Sequence, residues 1–160
     1  MAKLPSTQIF VQRNIAKCVC SPSPILPHRK LILLISQFHL TDSNAGSVLT
    51  YGLTGIKNDP ITDIYVVGHS DCGGVNACHA AAKGEDIGIP PSSVLWTWLG
   101  PLRALADSYK NQPAIFLGRE NVRVQVANVK ETLRRLGVTR PVTVKGYMYL
   151  IDEDKLEEVV

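Results

Sequence analysis

The sequence predicts an α/β fold, with a mostly parallel central sheet flanked by helices. Strand-like and helix-like segments alternate along its 160 residues, the pattern that parallel crossovers produce. The run "ITDIYVVGH" (61–69) is apolar and β-branched almost throughout, as a strand covered on both faces should be. In "ENVRVQVANVKETLRRLG" (120–137), Val122, Val126, Val129, Leu133 and Leu136 fall at helical spacing and make one continuous apolar stripe.

The elements follow in order. "TQIFVQRN" (7–14) reads as a short strand with a polar end. "IAKCVCSPSPILPHRK" (15–30) carries Pro22, Pro24 and Pro27 among small residues, a spacing that neither a helix nor a central strand tolerates, so it reads as a loop or extended arm. "LILLISQFHL" (31–40) fits a strand or a short helix, and periodicity does not choose. Asp42, Ser43 or Asn44 can cap a helix in which Val48, Leu49, Leu53 and Ile56 share a face and "KNDP" is the stop. After the strand at 61–69, "GGVNACHAAAK" starts a helix that Gly84 can end. "IGIPPSS" is a loop, and "SVLWTWLGPLRALADSY" is one or two helices broken at Gly100–Pro101. The long helix ends at Gly137, where a C-terminal glycine belongs. "PVTVKGYMYLI" (141–151) is a strand, and an acidic tail follows. The whole, 1–160, is expected to be a single domain.

Composition narrows the function. A formal charge of +3 with scattered Lys and Arg gives no footprint for nucleic acid. No apolar run approaches the ~20 residues of a membrane span, and the first residues lack a secretory h-region, so the expected setting is cytoplasmic. Four cysteines, Cys18, Cys20, Cys72 and Cys78, are too few for a disulfide scaffold and read as reduced thiols, some of them metal ligands. Cys78, in an Ala-rich setting, reads as a small buried residue.

The chemistry concentrates in "GHSDCGG" (68–74). Ligands of open α/β sheets gather beyond the carboxyl ends of the strands. His69 and Cys72 stand at such an end, and imidazole and thiolate are both zinc donors. Gly73 and Gly74 allow a tight turn behind the sulfur, and the helix that begins there favours a thiolate through its free amides and dipole. A lone H-x-x-C also fits a plain strand-to-helix turn with a core cysteine and a solvent-facing histidine. The pattern alone leaves both readings open.

"IYVVGHSDCGGV" resembles the second zinc motif of the beta-class carbonic anhydrases. The likeness continues in chain order through "IFVQRNIA", "DSNAGSVLTYGL", "WLGPLRAL", "ENVRVQVANV" and "VKGYMYLIDEDKL", and covers most of the chain apart from 18–41. The resemblance implies a zinc lyase that hydrates carbon dioxide reversibly to bicarbonate and a proton. It makes His69 and Cys72 two of three protein ligands to Zn2+, with Gly73 and Gly74 as the turn beside the metal and Arg13 and Asn14 as nearby support. It implies a homodimer or higher oligomer, and the small-molecule substrate as the other partner.

Two features depart from the family pattern. The motif C-x-D-x-R, whose Cys is the remaining ligand and whose Asp–Arg pair orients the water, has no counterpart before "IFVQRN", where only "MAKLPSTQ" stands. The family's first strand is expected to be missing with it, which exposes a sheet edge and invites pairing. Residues 18–41 form an atypical insert. It is either functional, with Cys18 or Cys20 supplying the third thiolate, or the product of a retained intron. Two ligands alone hold zinc weakly, so the alternative function is an inactive family member acting as a dimer subunit or regulator of an active paralogue. Of the other histidines, His28 and His39 read as exposed or incidental. His79, two helical turns past Cys72, reads as exposed, with a proton relay as the other option. Trp96 and Trp98 read as packing residues, and Arg134–Arg135 as a solvated helix face.

Overall fold

A computed structural model of the chain describes residues 9–13, 30–34, 39–55 and 61–160, the first two segments as backbone alone. Five strands form one sheet in the order β1-β2-β3-β4-β5: β1 Ile9–Arg13, β2 Lys30–Leu34, β3 Asp63–His69, β4 Thr143–Leu150 and β5 Lys155–Glu158. The first four are parallel and β5 runs antiparallel beside β4.

The segment left undecided by periodicity, 31–40, supplies β2, which lies inside the sheet between β1 and β3, with Leu34 paired to Val67. An apolar run of leucine and isoleucine suits a strand with neighbours on both edges. The rest of the insert from 18 to 29, and 35–38, lies outside the described residues. The acidic tail is a strand, which the sequence reading did not assign. Being an edge, β5 needs no apolar face, and its charges find partners instead: Arg119 holds Glu157 through two hydrogen bonds, and Lys145 holds Glu158.

Among the described residues, five α-helices accompany the sheet. α1 (Ser43–Thr50) is capped by Asp42, whose Oδ1 accepts from the amides of Asn44 and Ala45 at 2.9 and 3.3 Å, and it runs into a single π-helical turn, Tyr51–Gly55. α2 spans Gly73–Ala82, and Gly84 follows with a φ of 83°. α3 (Val94–Trp98) and α4 (Gly100–Ala106) meet at Leu99; the break falls where expected, with Pro101 in the first turn of α4, where its missing N–H costs nothing. α5 covers Ala114–Arg135. It starts six residues before the expected Glu120, directly after Pro113. A Cβ on Gly118 would stand 2.6 Å from the Met148 methyl, so glycine lets α5 lie close on the sheet. Its C-terminus is a Schellman turn: Val138 N donates to Leu133 O, Gly137 N to Arg134 O, and Gly137 has a φ of 65°.

The expected stripe is the core. Val122, Val126, Val129 and Leu133 of α5 pack with Ala45 and Leu49 of α1 against Ile64, Val66, Val144 and Met148 of the sheet. Leu136 is partly buried at its end. The floor beneath Val122 is glycine: a Cβ on Gly68 or on Gly146 would lie 2.7 Å from one of its methyls. A second cluster, Cys72, Val75, Cys78, Leu99, Leu102, Ala106 and Leu117, fills the space where α2, α4 and α5 meet.

Candidate metal centre

Strand β3 delivers His69 to the carboxyl edge of the sheet, opposite Tyr149 of β4. The next residue is pinned to β4. Ser70 N donates to Tyr149 O at 2.8 Å, and Ile151 N donates to Ser70 Oγ at 2.8 Å. His69 Nδ1 lies 2.8 Å from Ser70 O. A carbonyl can only accept, so Nδ1 carries the proton, and in the neutral ring Nε2 is left with a bare lone pair. That Nε2 is buried and has no hydrogen-bond partner among the described residues. The imidazole sits beside Cys72, which raises its pKa above the ordinary value against the opposing effect of burial.

The chain then turns through Asp71, whose φ of 52° lies in the left-handed region. This revises the expectation for the glycines. Gly73 and Gly74 are the first residues of α2 with no positive φ, and the turn is made at Asp71, a residue type that tolerates this conformation. The Asp71 carboxylate accepts from Asn76 Nδ2 at 2.7 Å, which ties the turn to the first turns of α2. Its bond to Asn76 gives it a structural role.

Cys72 is the N-cap of α2, 4% exposed, with an extended backbone and no side-chain cap bond. Its sulfur therefore lies where helix amides and dipole favour the anion. Cys78 is buried as expected; neither thiol is in a disulfide, and burial pushes the Cys78 pKa up to about 11. A core thiol and a thiol at the helix N-cap position are thus six residues apart in one cluster.

The fit to zinc is good as far as it goes. An orphaned lone pair on His69 and a capping cysteine are the right donors for a thiophilic divalent ion, but a zinc site takes three or four protein donors. Among the described residues, no group of three His, Cys, Asp or Glu side chains could hold a metal ion. Cys18, Cys20, Asn14 and His28 lie outside the described residues, and of Arg13 only the backbone is described.

Two histidines differ from expectation. His79 is buried, and its Nε2 donates to Gln112 O at 2.7 Å, fastening α2 to the loop before α5. Helical phase put it near the Cys72 face but could not reveal the loop that covers it. His39 is partly buried, its ring 5.7 Å from that of Trp98 and its Nε2 buried without a partner among the described residues. It lines a cleft of about 380 Å³ with Pro101, Leu105, Asn121 and Gln125 among others. Trp96 and Trp98 are packing residues as expected; the Arg103 guanidinium lies 3.9 Å over the Trp96 ring. The residue missed by sequence reasoning is Ser70, whose signal was only its place, first after the strand and next to a donor histidine.

Comparison with known proteins now decides the family. The carbonic anhydrase family model matches residues 1–156. The chain belongs to the carbonic anhydrase family. Its fold is that of the beta class. It is similar to the beta-carbonic anhydrase CafA of the fungus Aspergillus fumigatus, with 23% identity and a TM-score of 0.59 over 76% of this chain and 58% of that one. It is similar to one of two tetrameric beta-carbonic anhydrases of the ascomycete Sordaria macrospora, with 21% identity and a TM-score of 0.55 over 80% of this chain and 67% of that one. Against CafD of Aspergillus fumigatus the values are 18% and 0.53, over 99% and 92%. The chain therefore spans little more than half the length of CafA. No curated protein sequence matches it. Among the described residues, no helix is long and apolar enough to cross a membrane.

Proposed function

We propose that this carbonic anhydrase family member binds zinc through His69 Nε2 and Cys72 Sγ and catalyses the reversible hydration of carbon dioxide to bicarbonate and a proton. The observation that carries the reading is the buried Nε2, with no hydrogen-bond partner among the described residues, set beside a cysteine at a helix N-terminus. A buried polar atom left unsatisfied is costly unless a ligand completes it. His69 Nε2 and Cys72 Sγ would hold the zinc, which would supply Lewis acidity near neutral pH when bound.

The protein's own groups do the rest. His69 keeps its Nδ1 proton on Ser70 O, so Nε2 stays available as a donor. Cys72 stands at the N-cap position of α2, the end of a helix whose dipole favours a negative group. Cys72 belongs to a buried apolar cluster with Leu99, Leu102 and Leu117. Cys18 and Cys20 of the insert are the candidates for the third donor. We take 1–160 as a single domain, acting as a subunit of a homodimer or higher oligomer in the cytoplasm, where its thiols stay reduced.

Zinc content and carbon dioxide hydration, measured on wild type, His69→Ala, Cys72→Ser, Cys18→Ser and Cys20→Ser, test this. The expected result is about one tightly held zinc per chain, lost with His69, Cys72 and one of the two insert cysteines, with activity following the metal. A wild-type chain that holds no more zinc than Cys72→Ser, hydrates no carbon dioxide alone and co-purifies with an active chain would establish the inactive-subunit reading instead.

A further inference from the structure

We propose that Ser70 is a positioning residue for the metal site: it latches the end of β3 to the end of β4 and so holds His69 in the tautomer that presents Nε2. The proposal rests on His69 being a metal ligand. The geometry behind it is independent of any metal.

Ser70 is held at two points by residues about eighty positions away in sequence. Its amide donates to Tyr149 O at 2.8 Å, and its hydroxyl oxygen accepts from Ile151 N at 2.8 Å. Two anchors on one residue fix both its backbone position and its side-chain rotamer. The peptide that follows is held from the other side. Asp71 has a φ of 52°, and its carboxylate is bonded to Asn76 of α2 at 2.7 Å. The carbonyl of Ser70 lies between these restraints, and its direction is set by them. It is this carbonyl that accepts from His69 Nδ1 at 2.8 Å. Since a neutral imidazole carries one proton, occupying Nδ1 strips Nε2 of its own. The latch therefore selects which nitrogen can donate a lone pair. A metal-binding histidine ordinarily has its second nitrogen fixed in this way, and loss of such support costs affinity.

Without the hydroxyl, Ile151 N loses its acceptor and the Ser70 peptide loses one anchor. The carbonyl can then swing, Nδ1 can lose its acceptor, and the proton is free to sit on Nε2, where it blocks the metal. A threonine keeps the oxygen and so keeps the latch.

The test compares wild type, Ser70→Ala and Ser70→Thr as full chains. The tautomer of His69 is read in metal-free protein by long-range nitrogen–proton NMR on histidine labelled with ¹⁵N, its signal identified by its loss in His69→Gln. Zinc affinity is read separately by chelator competition. Wild type and Ser70→Thr are expected to show Nδ1–H. Ser70→Ala is expected to gain the Nε2–H form and to bind zinc about 10–100-fold more weakly. Wild-type tautomer and affinity in Ser70→Ala would overturn the proposal. If Ser70→Ala fails to fold, an Nε2–H form in Ser70→Thr overturns it equally. A wild-type protein that takes up no zinc refutes the ligand role of His69, whereas the tautomer shift still decides whether the latch exists.

Discussion

Gly146 of β4 lies under α5, and replacing it with alanine measures how tightly that helix is seated. A Cβ at this position would stand 2.7 Å from Val122 Cγ1, 2.9 Å from Val160 Cγ1 and 3.0 Å from Val126 Cγ2. Valine is stiff at χ1, so the methyls cannot turn away and the helix must lift. Overpacking of this kind costs about 1–3 kcal/mol. The reduced freedom of the unfolded chain returns about 0.4–1 kcal/mol. The net loss of about 1–2 kcal/mol should lower Tm by roughly 2–8 °C in a chain of this length. Thermal melts of Gly146→Ala, Val122→Ala and the double variant supply the check. Val122→Ala alone removes two buried methylene equivalents and should cost roughly 1.5–2 kcal/mol. If the clash with Val122 dominates, the double variant should be more stable than the sum of the singles by about 1 kcal/mol. A Gly146→Ala protein that melts at or above wild type, or strict additivity in the double, would refute the close seating of α5.

Three further outcomes are expected. Hydrogen bonds from Arg134 and Arg135 hold the Glu131 carboxyl down at about 2; its stabilising contribution is therefore present above the ordinary value of 4.5 and is lost as pH falls toward 2. Melts across that window should show a steeper acid loss for wild type than for Glu131→Gln, a difference that shrinks in high salt because the groups are exposed. His79→Ala should leave Gln112 O without its donor and cost about 1–3 kcal/mol by denaturant unfolding, with zinc content unchanged; a proton relay would instead require lost hydration activity at full stability. Cys78, buried with its pKa at about 11, should escape iodoacetamide at pH 8 in the native protein and react after unfolding, and mass spectrometry of trypsin fragments reads the difference.

Local rules carried the reading a long way. The α5 stripe at Val122, Val126, Val129 and Leu133 was visible because burial on a helix repeats with its turn, and the structure buries all four. The run at 61–69 became β3, and Asp42 and Gly137 punctuate helices as their side-chain chemistry demands. The misses share a cause. β5 is an edge strand held by Lys145 of the neighbouring strand and by Arg119 of α5, thirty-eight residues before its partner Glu157. Gly118 sits inside α5 where Met148 leaves no room for a Cβ. His79 is buried by the segment around Gln112, thirty-three residues on.

His69 and Cys72 were brought together by spacing alone, since a strand end and a helix start three residues later leave them little room to part. Sequence could therefore place a histidine and a cysteine side by side at the end of one strand. It could not name the donor nitrogen. That choice belongs to Ser70 O, whose direction depends on Tyr149 and Ile151 across the sheet. Hydrogen bonds between β3 and β4 join residues about eighty positions apart, and only the folded sheet sets their partners. The linear chain determined which side chains meet at the strand end; the tertiary structure decided how the histidine among them is protonated and aimed.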